Sequence, residues 1–130
     1  MMIVFDTDIL IDHFHDHAAA TALIRTALLN RETLIISIAT VAEILAGMRP
    51  GEEKKTEALL SLFQIHPADE NIARIAGDYL NKYARGRHLD LGDALIAATA
   101  QDTGAMLYTR NIRHYPMDDI VVKAPYKRGK

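Results

Sequence analysis

Short apolar runs alternate with longer segments of helical period along this chain, and that alternation restricts the fold more than any other feature. Met2–Phe5, Leu34–Ser37, Ala105–Tyr108 and Ile120–Val122 read as buried strands, and Gln64–Pro67 as a very short one. Ile9, Leu10 and Phe14 mark a short helix, and Ala18–Leu29 is an alanine-rich one that stops at Asn30. Ile38, Val41, Ala42, Leu45 and Met48 share one helical face, broken at Gly47–Gly51; Glu52–Phe63 is amphipathic. Asp69 caps a helix running to about Gly86, and Leu91–Asp102 forms another, with Gly104 in the C-terminal cap position. Parallel strands need crossover connections, so strands separated by helices predict an α/β class with a parallel sheet covered on both faces.

The chain has 130 residues and shows no repeat, linker or low-complexity segment, so one domain over residues 1–130 is expected. A basic tail at Lys123–Lys130 reads as loose. The net charge of −2 exerts no overall pull on nucleic acid, so any basic footprint is local. The absence of cysteine excludes disulfides, thiolate zinc sites and thiol nucleophiles, and suits a reducing compartment. Asp6, Asp8 and Asp12 replace the basic start of a signal peptide, and the most apolar run, Leu34–Met48, is interrupted by Glu43. A cytoplasmic protein with no membrane association is the expectation.

Three acids stand out from this background. Asp6 ends an apolar strand, where open α/β sheets place their ligands. Glu43 is the only charge in Ile38–Ala46, and Asp93 opens Asp93–Ala100, whose only other polar group is Thr99. Carboxylates are seldom buried unless paired or bound to metal, because losing their hydration costs at least several kcal/mol. Each acid also has a plain structural reading. Asp6 caps the next helix, Asp93 complements a helix dipole (about 0.3–1 kcal/mol), and Glu43 pairs with an arginine such as Arg25 or Arg49.

Should the three converge, their charges repel and a divalent ion is the simplest neutraliser. Oxygen ligands favour Mg²⁺, with Mn²⁺ as a substitute. Such a site suits phosphodiester hydrolysis, in which one ion activates water and the same or a second ion stabilises the leaving oxygen.

At these residues the sequence resembles the PIN-domain ribonucleases, and within them the VapC-type toxins of toxin–antitoxin pairs. Val4–Asp12, Ile38–Gly47, Leu91–Ala100 and Leu107–Tyr115 resemble the family's four motifs in order, and the third is the most specific. The resemblance implies a three-layer α/β/α fold with a short-stranded, mainly parallel sheet. It implies Asp6, Glu43 and Asp93 as metal-binding catalytic acids, Asn111 at the fourth catalytic position, and Thr7, Thr40 and Thr109 in support. It also implies an Mg²⁺-dependent endoribonuclease that cuts a structured RNA, of the tRNA or rRNA class, and so blocks translation. Its partners are an antitoxin laid across the acidic groove and a second copy in a homodimer.

The chain departs from many relatives at the fourth motif, which lacks an acid at Asn111 and at His114. Asn111 coordinates without charge, so one metal, or a site completed by substrate, fits better than two. Asp90 offers a substitute charge but reads better as a helix cap, while Asp8 and Asp12 read as supporting or helix-surface acids. Arg110, Arg113 and the tail are candidates for RNA phosphate contacts, set against plain solvation. His13, His15 and His17 diverge on a helix and alternate on a strand, so they read as a polar turn. Two other functions compete: a haloacid-dehalogenase-like phosphatase using Asp6 and Asp8, and a non-catalytic PIN-like binding module.

Overall fold

The computed structural model describes residues 1–83 and 89–127. The elements run β1 (Met2–Phe5), α1 (Thr7–Phe14), α2 (Ala18–Leu29), β2 (Thr33–Ser37), α3 (Ile38–Ala46), α4 (Glu53–Leu60), β3 (Gln64–His66), α5 (Glu70–Tyr83), α6 (Leu91–Thr103), β4 (Met106–Tyr108) and β5 (Val122–Lys123). A 3-10 turn at Ile112–His114 separates the last two strands. The five strands lie in the order β3-β2-β1-β4-β5, and every pairing is parallel.

Side-chain alternation along the strands divides the core. Ile3, Phe5, Leu34 and Ile36 face one way, onto Ile9, Leu10, Ile24, Leu59 and Phe63 from α1, α2, α4 and the turn after α4. Val4, Ile35 and Leu107 face the other way, onto Ile72, Ala76 and Tyr79 of α5 and the alanine-rich face of α6. The result is the three-layer α/β/α arrangement. Phe5 meets Phe63 and Tyr108 edge-on at 5.4 and 5.5 Å, contacts each worth about 0.5–1.5 kcal/mol beyond area burial.

Local signals set most element ends. Ser37 Oγ accepts from the Ala39 N–H (3.0 Å), Asp69 Oδ1 accepts from the Ile72 N–H (3.0 Å), and Gly104 closes α6 at φ +72°. Two elements differ from the sequence reading by more than a residue. The amphipathic segment Glu52–Phe63 is helical only over Glu53–Leu60, because residues 61–63 turn so that Phe63 reaches the core. The last strand is Val122–Lys123 rather than Ile120–Val122, since the Val121 carbonyl is what receives the Leu107 N–H (2.8 Å).

The basic tail is also tied down in part. Tyr126 stacks on His17 and donates to Asp12 Oδ2 at 2.8 Å. The proposed end of α5 near Gly86 and the last three tail residues lie outside the described residues. Among the described residues, no helix is long and apolar enough to cross a membrane.

Candidate active site

Asp6 follows β1 at its carboxyl end and serves as the cap of α1, its Oδ1 accepting from the Thr7 N–H at 2.7 Å. The capping and functional readings of this acid are therefore compatible. Its Oδ2 accepts from two hydroxyls, Thr109 at 2.7 Å and Tyr115 at 2.9 Å. Thr109 arrives just after β4, the neighbour of β1, so adjacent strand ends bring the two together. Asp6 is only 7% exposed, and burial raises its carboxyl above the ordinary range despite these three donors.

Asp93 comes from the first turn of α6. It closes a reciprocal capping box with Asp90, whose Oδ1 accepts from the Asp93 N–H at 2.8 Å. The expected cap role of Asp90 is thus met. Burial, then the Asp90 charge, pushes the Asp93 carboxyl up to about 6. Its Oδ1 lies 3.4 Å from the Tyr115 hydroxyl and its Oδ2 lies 3.6 Å from His114 Nδ1.

Glu43 belongs to α3, and here the structure corrects the sequence reading. Glu43 is exposed rather than buried, as are Ala42, Leu45 and Ala46 beside it. Among the described residues it makes no ion pair with Arg25 or Arg49; its partner is the Thr7 hydroxyl, which donates to Oε1 at 2.6 Å. Thr40, fully buried, lies 3.0 Å from the same Thr7 hydroxyl. Glu43 also reaches the start of α6. A Cβ on Gly92 would stand 3.2 Å from Glu43 Oε2 and 3.4 Å from Asp90 Oδ1, so glycine leaves room for the two acids.

Asn111 makes no hydrogen bond to these three acids among the described residues; its Nδ2 donates to Asp8 Oδ2 at 3.2 Å and its N–H to the Thr109 hydroxyl at 3.0 Å. Asp8 gathers this loop, since Oδ2 also accepts from the Arg110 N–H at 3.1 Å. Burial, then the charge of Asp6, pushes the Asp8 carboxyl up to about 7. Asp8 Oδ1 is buried without a hydrogen-bond partner. Asp12 is not a surface acid: its side chain is fully buried and pairs with Arg110 Nε at 2.9 Å. Arg110 is thereby committed inside the fold, while Arg113 and Lys127 are exposed beside a cleft of about 660 Å³.

Sequence reasoning missed Tyr115 and the Asp12–Arg110–Tyr126 cluster. Neither carries a local signal. Each joins the end of the chain to its beginning, a pairing that only the sheet order creates.

Carboxylate oxygens backed by hydroxyls are a donor set that suits a hard divalent ion, and Asp8 Oδ1, two residues from Asp6, is buried without a hydrogen-bond partner. No three acids or histidines among the described residues already stand within reach of one ion. Water has to complete the coordination, which accords with the several waters that Mg²⁺ normally keeps.

A parallel sheet with acids beyond the carboxyl ends of its central strands, held by threonine hydroxyls, defines a PIN-type site. Residues 3–120 match the PIN domain family, to which the chain belongs. It is 41% identical to Ribonuclease VapC10 of Mycobacterium tuberculosis over 117 residues, covering 89% of this chain and 87% of that protein. Identity to Ribonuclease VapC19 of the same organism is 38%, covering 89% and 94%. The toxin–antitoxin complex from Klebsiella pneumoniae contains a chain with a TM-score of 0.75 and 31% identity, over 96% of this chain and 98% of that one.

Proposed function

We propose that this chain is an Mg²⁺-dependent endoribonuclease and the toxin of a VapBC-like pair, cleaving a structured RNA of the tRNA or rRNA class to stop translation. The observation that carries this reading is a chain of hydroxyl contacts at the carboxyl end of β1, where Tyr115 lies 2.9 Å from Asp6 and 3.4 Å from Asp93, and Thr7, next to Asp6, donates to Glu43 at 2.6 Å. The unit that does the work is a single domain over residues 1–130, acting in the cytoplasm, where both RNA and antitoxin are met.

Asp6, Asp93 and Glu43 would hold Mg²⁺ or Mn²⁺. The bound ion supplies an activated water and positive charge at the leaving oxygen. Thr109 fixes the Asp6 carboxylate, and Thr7, backed by Thr40, holds Glu43. Asn111, anchored on Asp8 through its nitrogen, presents its amide oxygen as an uncharged acceptor for a water proton. Arg113 and Lys127 line the cleft next to Asn111 and His114, and suit RNA phosphates approaching the acids. An antitoxin segment fits the mainly apolar cleft of about 200 Å³ between α1 and α3, lined by Ile11, Phe14, Ile44 and Met48 and reaching Glu43. A homodimer is expected from the family alone.

The test is cleavage of total cellular RNA by the purified protein, with Mg²⁺ and with EDTA, beside Asp6→Asn. Mg²⁺-dependent cleavage lost in the variant supports the reading. Equal cleavage by both proteins overturns it, and retained RNA binding without cleavage points to the binding-module alternative.

A further inference from the structure

Tyr115 is anchored at both ends. Its ring is 3% exposed and packs in the cluster formed by α5, α6 and the sheet, with Tyr79, Ala94 and Met117 among its members. Its hydroxyl leaves that core at a point 2.9 Å from Asp6 Oδ2 and 3.4 Å from Asp93 Oδ1. A buried phenol needs one acceptor for its single proton. This one stands against two carboxylates that belong to different elements, the end of β1 and the start of α6.

Satisfying Asp6 does not require it, since the Thr7 N–H and the Thr109 hydroxyl already donate to that carboxylate. What the phenol adds is a fixed distance. It is the one group among the described residues recorded in hydrogen-bond contact with both acids. A phenylalanine at this position fills the same core space and makes neither contact.

We propose that Tyr115 is a positioning residue for the divalent ion, its hydroxyl holding the Asp6 and Asp93 carboxylates at the spacing that lets them share one ion. The inference rests on the metal-site reading given above. Outer groups that orient metal ligands contribute about ten- to a hundredfold in affinity. The buried apolar cluster behind this hydroxyl leaves the ring 3% exposed and fixes where the hydroxyl emerges.

The test is Mn²⁺ binding to the full chain without RNA, by calorimetry and electron paramagnetic resonance, for wild type and Tyr115→Phe. The variant is expected to bind about tenfold more weakly or worse, with a melting temperature in EDTA close to wild type. Unchanged affinity, with only the melting temperature moved, assigns the hydroxyl a structural role and overturns the proposal.

A measurement on wild type guards against a variant that folds poorly. In Mg²⁺ titrations followed by carbon-13 resonances, the Tyr115 Cζ signal is expected to shift in step with the Asp6 carboxylate. A shift at Asp6 with none at Tyr115 also overturns the proposal. If wild type binds neither ion, the metal site itself fails and this inference falls with it; if only the Tyr115→Phe comparison fails, the metal site stands.

Discussion

Asp6 and Asp12 sit six residues apart, at the cap and on the body of α1, both buried, yet the fold treats them in opposite ways. Asp12 receives a guanidinium at 2.9 Å and a phenol at 2.8 Å. Asp6 receives an amide N–H and two hydroxyls, and its carboxylate neighbours Asp8 and Asp93 each feel its charge. Hydroxyls satisfy hydrogen bonds without cancelling charge. Asp12 therefore ties the C-terminal segment to α1, and Asp6 stands at the carboxyl end of β1 held by neutral donors alone. Two buried acids differ in role because only Asp12 is paired with a guanidinium.

Substitution separates the two most sharply. Asp12→Ala should destabilise the protein by about 3 kcal/mol, because Arg110 is left facing a buried gap, and a denaturant melt reads this directly. Asp6→Asn should instead leave the metal-free fold intact or slightly more stable while reducing RNA cleavage by roughly a thousandfold, the scale of losing a transition-state charge contact. Marked destabilisation by Asp6→Asn in EDTA would return that residue to a capping role.

Titration sharpens the contrast further. Asp8 and Asp93 rise to about 7 and about 6 in the folded protein from 3.8. Between about pH 4 and pH 7 the folded state thus holds protons that the unfolded chain has released, so stability falls as pH rises through that window. The melting temperature in EDTA should drop from pH 5 to pH 7, and saturating Mn²⁺ should flatten the profile. A rising profile in EDTA would mean that Arg110, 4.0 Å from Asp8, and His114, 3.6 Å from Asp93, outweigh the burial of these carboxylates.

Smaller effects are expected at the periphery. Thr7→Val removes the donor that holds Glu43 and should weaken Mn²⁺ binding by about tenfold. Arg113→Ala and Lys127→Ala should each lower RNA affinity modestly and reduce the salt dependence by about one phosphate contact, with Mn²⁺ affinity unchanged. An unaltered salt slope in both would move the RNA path away from the cleft they line.

The order of strands and helices was legible because periodicity and caps are local: Ser37, Asp69 and Gly104 act where the sequence places them. Asp6 and Asp93 were legible for a related reason, an acid being conspicuous at the edge of an apolar run. Glu43 was singled out for a reason that does not hold, since the apolar face around it, with Ile38 and Leu45 each 42% exposed, is left open rather than buried in this chain. An apolar helix reads alike whether its face meets its own core or stands open.

What the sequence determined by itself is therefore the succession of elements and the identity of the conspicuous acids, both encoded within a few residues. Only the tertiary structure decided which acid is paired with a guanidinium. The parallel order β3-β2-β1-β4-β5 puts β4 beside β1, and the segments that follow β4 then deliver Arg110 and Tyr126 to Asp12 but Thr109 and Tyr115 to Asp6. Whether a carboxylate meets a guanidinium or a hydroxyl depends on chain segments far apart in sequence, and no local pattern records that meeting.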